Sequence, residues 1–282
     1  HQSFFDYAYA RTFIENGKKI TESLYTQHQG LFIRSRTKQV LTYLRELNPE
    51  EYIEELDSII FGDYRFHLKL MLLNNLGFYP DPKKQEQEWV QNRLIKDDFL
   101  FKLFIESIYT IEWFRFLLEK IDTLQYFKKN NTEVISKIYT ICWRIIGSST
   151  EEIISFLTTI KDIPFDNRSN FISRILSNIP EEKISLAIPL FEETYTQWDR
   201  FNLYHFLDNA LLYNPSFVKD KLLLLFEENL KTLKDHSSDY IPGDHDGMHV
   251  FKELHNKHQN IAIPFFIEIT KQICEYSKMT YL

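Results

Sequence analysis

Between residues 133 and 146 the apolar side chains fall at Val134, Ile135, Ile138, Ile141, Cys142 and Ile145. Steps of three and four wrap one face of an α-helix and do not fit the strict alternation of a half-buried strand. The same period recurs along the whole chain, and it is what most limits the fold. Asn48-Pro49-Glu50-Glu51 supplies an N-cap, a proline at the first helical position and acids at the positive end of the helix dipole. Behind it run Tyr52, Ile53, Leu56, Ile59 and Ile60 on one face. Ser149-Thr150-Glu151-Glu152 reads as a capping box ahead of Ile153, Leu157 and Ile160, and Asn214-Pro215 opens another helix. Composition agrees. Seven glycines in 282 residues leave few positions for tight hairpins or phosphate-cradling loops, whereas 24 Phe and 16 Tyr suit broad helix–helix interfaces. The expected fold class is all-α.

The helices group in pairs: 35–47 with 50–61, 64–78 with 83–94, 98–107 with 110–120, 132–146 with 150–161, 167–178 with 181–195, 200–212 with 215–234, and 247–259 with 262–277. The pair starts lie 29, 34, 34, 35, 33 and 47 residues apart, in the range of two-helix repeats between the tetratricopeptide and HEAT lengths. Short linkers force antiparallel neighbours, and stacked pairs make a right-handed superhelix, or solenoid. An irregular helical bundle is the alternative. The one long interruption is residues 235–249, DHSSDYIPGDHDGMH.

No apolar run reaches the ~20 residues of a membrane helix, so no membrane partner is expected. Cys142 and Cys274 sit far apart in apolar surroundings and read as thiols in a reducing, cytoplasmic compartment. A net charge of −7 disfavours nucleic acid as a partner, because phosphate contacts call for an excess of Lys and Arg.

No P-loop, dinucleotide fingerprint, zinc-protease motif or nucleophile elbow occurs, so no catalytic residue is assigned and no enzyme activity is expected of this chain. Five histidines, His236, His245, His249, His255 and His258, crowd into 23 residues with Asp239, Asp244 and Asp246. His245 and His249 are one helical turn apart, and with Asp246 they form the candidate metal set. The alternative is a polar loop in which Asp244 or Asp246 caps the next helix. Arg34, Arg36 and Lys38 place three cations at the start of a helix, the end the dipole disfavours. Either an ion pair within the fold or a partner offsets them. Arg65 and His67, interleaved with Tyr64 and Phe66, complete the candidate partner-binding set, since Arg and aromatic residues anchor interfaces. Trp89, Trp113-Phe114-Arg115-Phe116 and Trp198 are either core or surface.

The opening residues HQSFFDYAYAR carry His1, Ser3-Phe4, Asp6-Tyr7 and Ala10-Arg11 in the order of a motif that closes the winged-helix module of STAND NTPases of the NACHT type. The segment QGLFIRSRTKQVLTYLREL is similar to the first helices of the helical sensor region that bacterial members carry after that module. The resemblance implies that residues 1–30 end a winged-helix module and form a linker helix, and that residues 31–282 are a helical-repeat sensor. It implies that His1 reaches the nucleotide β-phosphate in the closed state. No cofactor is assigned to this chain, and ATP or ADP with Mg²⁺ belongs to a nucleotide-binding domain expected upstream. The implied partners are that domain and a protein ligand whose binding favours an open, oligomeric state, in a setting of antiphage defence. A free-standing helical-repeat scaffold without an ATPase remains the alternative. Behind it stand a metal-dependent helical hydrolase built on the 236–258 cluster and a HEAT-like nucleic-acid binder.

Overall fold

The three-four apolar stripes become helices wherever they occur. A computed structural model of the protein describes residues 2–26, 31–235 and 245–280, with the side chains of residues 8–26, 33–228 and 249–275. Every regular element among the described residues is helical. All fourteen helices expected from the sequence are present, their ends within a few residues of expectation. The chain clusters into two compact units, His1–Ile145 and Ile146–Leu282.

The first unit holds α1 (Gln2–Glu15), α2 (Ile20–Thr26), α3 (Leu31–Leu47), α4 (Pro49–Phe61), α5 (Phe66–Phe78), α6 (Lys84–Asn92), α7 (Asp98–Glu106), α8 (Ile111–Lys120), α9 (Leu124–Lys128) and α10 (Thr132–Ile145). Alternate helices stack: α3 packs on α5, α5 on α7 and α7 on α10, while α4 packs on α6. Helix α1 lies on α3. Leu56, Ile59, Ile60, Leu73, Phe104, Trp113, Phe114, Ile138 and Ile141 are buried together as its core. Each large side chain taken fully out of water contributes about 2–3 kcal/mol. Asn48 caps α4 as its sequence predicts, accepting from the Glu51 N–H at 3.3 Å. Asp57 of α4 accepts from the Trp89 indole at 2.9 Å and the Arg93 guanidinium at 3.2 Å, tying α4 to α6.

The second unit holds α11 (Thr150–Ile160), α12 (Arg168–Leu176), α13 (Ile184–Thr194), α14 (Arg200–Leu211), α15 (Pro215–Asp235), α16 (His245–Lys257) and α17 (Gln259–Thr280). Here α11 packs on α13, α12 on α14, α14 on α16 and α15 on α17. An aromatic knot holds its centre: Phe191 stacks on Phe206 at 4.4 Å, and Trp198 meets both edge-on at 5.1 and 5.7 Å.

Three local expectations differ from the structure. Ser149 precedes α11, but its side chain makes no capping hydrogen bond. Buried at the joint, its hydroxyl lies 3.4 Å from that of Ser148, and the neighbouring Thr150 hydroxyl turns back to the Ile146 carbonyl at 2.6 Å. The five-residue α9 was not expected, being too short to show a period. The 235–249 interruption is shorter than the sequence suggests, since α15 runs to Asp235 and α16 begins at His245; residues 236–244 lie outside the described residues.

Candidate functional site

A helix end exposes carbonyls that have no partner within the helix. At the C-terminal end of α5 the α7–α8 corner supplies further donors to these and neighbouring carbonyls. The Ser107 hydroxyl donates to Leu73 O at 2.9 Å, the Trp113 indole to Leu76 O at 2.8 Å and the Tyr109 amide to Gly77 O at 3.1 Å. Gly77 permits this approach, because a Cβ there would overlap the Ser107 carbonyl. The clamp fixes two rings that the core does not need. Phe78 and Tyr109 stack with centroids 4.4 Å apart and stay 58% and 43% exposed. Arg144, in the last turn of α10, lays its guanidinium 4.2 Å over the Tyr109 ring. It also donates to the Glu106 and Ile108 carbonyls at 2.5 and 3.3 Å, closing the end of α7. Beside it Trp143 is 54% exposed. The result is a preformed ladder of two rings and a cation, anchored by backbone carbonyls at the ends of α5 and α7.

A second exposed ring pair occupies the other end of the same helices. Phe66 and Phe99, in the first turns of α5 and α7, have centroids 5.9 Å apart. Thirteen residues of helix separate Phe66 from Phe78 by about 18 Å. In the second unit, α17 carries an exposed apolar stripe, Ile263, Phe266, Ile267 and Ile273.

The residues singled out from sequence are placed as follows. Arg65 and His67 flank Phe66 at the start of α5. Arg65 is exposed, and His67 is half-buried with its Nε2 unpaired. On α3, Arg34 is half-buried and Lys38 exposed, and neither forms an ion pair among the described residues. Arg36 is met by a ring instead, lying 5.3 Å from the centroid of Tyr9 on α1. His1 lies outside the described residues, and so do the side chains of His245 and Asp246, which begin α16. His249 is exposed, its Nδ1 3.5 Å from Asp208 Oδ1 on α14. Among the described residues no three His, Cys, Asp or Glu converge as a metal site. The remaining rings separate: Tyr64, Trp89, Trp113, Phe114, Phe116 and Trp198 are buried, while Phe66 is surface.

Sequence reasoning missed Phe78, Tyr109 and Arg144. Phe78 ends a helix with apolar residues around much of its circumference, and Tyr109 sits in a corner, so periodicity marks neither. Comparison of the chain with protein-family models, with curated proteins and with solved structures gives no match. No described helix is long and apolar enough to cross a membrane.

Proposed function

We propose that this chain is a helical-repeat recognition region that binds a protein ligand through the Phe78–Tyr109–Arg144 ladder. The alternate stacking α3–α5–α7–α10 supports a solenoid reading of the first unit, and the ladder lies where three of those helices end. The ladder carries the proposal because its rings are held by main-chain bonds, so a partner would spend little ordering them. Aromatic and Arg side chains of this kind dominate binding energy at protein interfaces. Covering the exposed half of each ring would contribute about 1–2 kcal/mol. Following the resemblance of residues 1–11, the region would act as the sensor of a STAND-type ATPase, with ligand binding shifting the protein from a closed, ADP-bound form to an open, ATP-bound oligomer. Such a shift requires the ligand to prefer the open form by several kcal/mol.

The test compares the wild type with Phe78→Ser/Tyr109→Ser, both immobilised at equal density and exposed to lysate of phage-infected cells. The expected result is a protein retained by the wild type and lost from the variant, with the variant's thermal unfolding within a few degrees of the wild type. Identical retained proteins on both surfaces would overturn the assignment of the ladder.

A further inference from the structure

Helix α2 is held differently from the helices around it. Its seven residues are about two turns, too few for a helix to persist by itself in water. Its buried apolar seat against α3 and α4 consists of Ile20 and Leu24. Glu55 and Tyr64 add further attachment. Glu55 of α4, only 4% exposed, accepts from the Thr21 amide at 2.9 Å and the Thr21 hydroxyl at 3.1 Å. Tyr64 donates its hydroxyl to the Thr21 carbonyl at 3.3 Å and packs its ring 5.0 Å from that of Tyr25.

Glu55 has no cation within ion-pair distance among the described residues. Both of its hydrogen bonds come from Thr21. A carboxylate removed from water and met only by neutral donors recovers its hydration cost incompletely, so its two bonds to Thr21 weigh heavily on whether α2 stays closed. On the N-terminal side α1 ends in a left-handed Gly17 (φ 64°), whose amide bonds to Ile14 O while that of Lys18 bonds to Phe13 O. That closes α1 independently of α2. Nothing lies within 4 Å of where a Gly17 Cβ would stand, leaving room at the joint.

We propose that α2 is a strap that lifts off α3 and α4 and recloses as a unit under native conditions, with the Thr21–Glu55 bonds setting how often it does so. Lifting hydrates the Glu55 carboxylate and uncovers the apolar seat of Ile20 and Leu24, while α1 stays packed on α3. The device is independent of the aromatic ladder and of any ligand bound there.

Native-state hydrogen exchange on the full chain tests it. The amides of Leu24, Tyr25 and Thr26 should exchange through an opening distinct from the global unfolding that releases Ile59 and Ile60 of α4. Glu55→Ala should speed exchange in α2 roughly 100-fold, the order expected for losing two hydrogen bonds to a charge. Thr21→Val, which removes only the hydroxyl bond, should speed it roughly 10-fold. In both variants exchange at Ile59 and Ile60, referred to each variant's own global stability, should be unchanged. The strap is overturned if α2 amides in the wild type exchange only with those of α4, or if Thr21→Val and Glu55→Ala leave α2 exchange within twofold of the wild type.

Discussion

Arg45 and Glu86 form a two-pronged ion pair out of reach of water, Nε to Oε1 at 2.6 Å and Nη2 to Oε2 at 2.9 Å, with side chains 3% and 1% exposed. The pair bridges α3 to the first turn of α6. Arg45 also donates to the Asp81 carbonyl at 2.6 Å and lies 3.9 Å over the Tyr79 ring. Burial opposes the guanidinium charge, but the hydrogen bond and charge of Glu86 together with the charge of Asp81 and the nearby Tyr52 more than offset it, leaving Arg45 harder to deprotonate than a free arginine. Burial and the same carboxylate push the Tyr52 phenol well above the usual tyrosine range.

Breaking one half of such a pair strands the other as a lone buried charge, which costs about 3–5 kcal/mol. Arg45→Met should therefore lower the free energy of unfolding by that amount in urea titrations followed by circular dichroism. Adding Glu86→Leu should restore a large part of the loss, because two apolar side chains leave no stranded charge. A double variant no more stable than Arg45→Met would mean that the Asp81 and Tyr79 contacts, and not the ion pair, set the cost.

Gly77→Ala should destabilise the first unit by about 1–3 kcal/mol, since the added methyl must displace the Ser107 backbone. The ladder should suffer with it: the displacement moves the corner that carries Tyr109 away from Phe78. Calorimetry checks the first effect, and lost ligand retention at otherwise intact helicity checks the second.

The two cysteines should separate cleanly under alkylation at mildly basic pH. Burial pushes the Cys142 thiol far above its ordinary range, so almost no reactive thiolate exists there, whereas Cys274 is exposed. Intact mass should show one adduct on the native protein and two once urea is present. Two adducts without denaturant would contradict the placement of Cys142 in the core.

Much of the helical layout was readable in advance because caps and periodic stripes are local signals. Asn48 and Asn214 mark their helices correctly, the latter accepting from the Phe217 amide at 3.1 Å. Ser149 carries the same local signal, yet its side chain accepts no capping hydrogen bond, while the Thr150 hydroxyl beside it donates to the Ile146 carbonyl four residues back. The Arg45–Glu86 pair joins positions 41 residues apart and leaves no local trace. The ladder is harder still. Trp113 and Trp143 look alike in sequence, yet one donates to a helix end in the core and the other stands in solvent. The place of Trp113 depends on how α5 meets the corner after α7, where Gly77 and Ser107, two small residues without any hydrophobic signature, make the close contact.

The joint between α7 and α8 serves as the end-piece of a third helix. Its spacing is therefore as constrained as a side chain in the interior. One residue added in the first turn of α8, between Ile111 and Trp113, would turn the indole by about 100° about the helix axis, away from the Leu76 carbonyl that it caps. Lineages that diversify this protein by insertion should spare this corner.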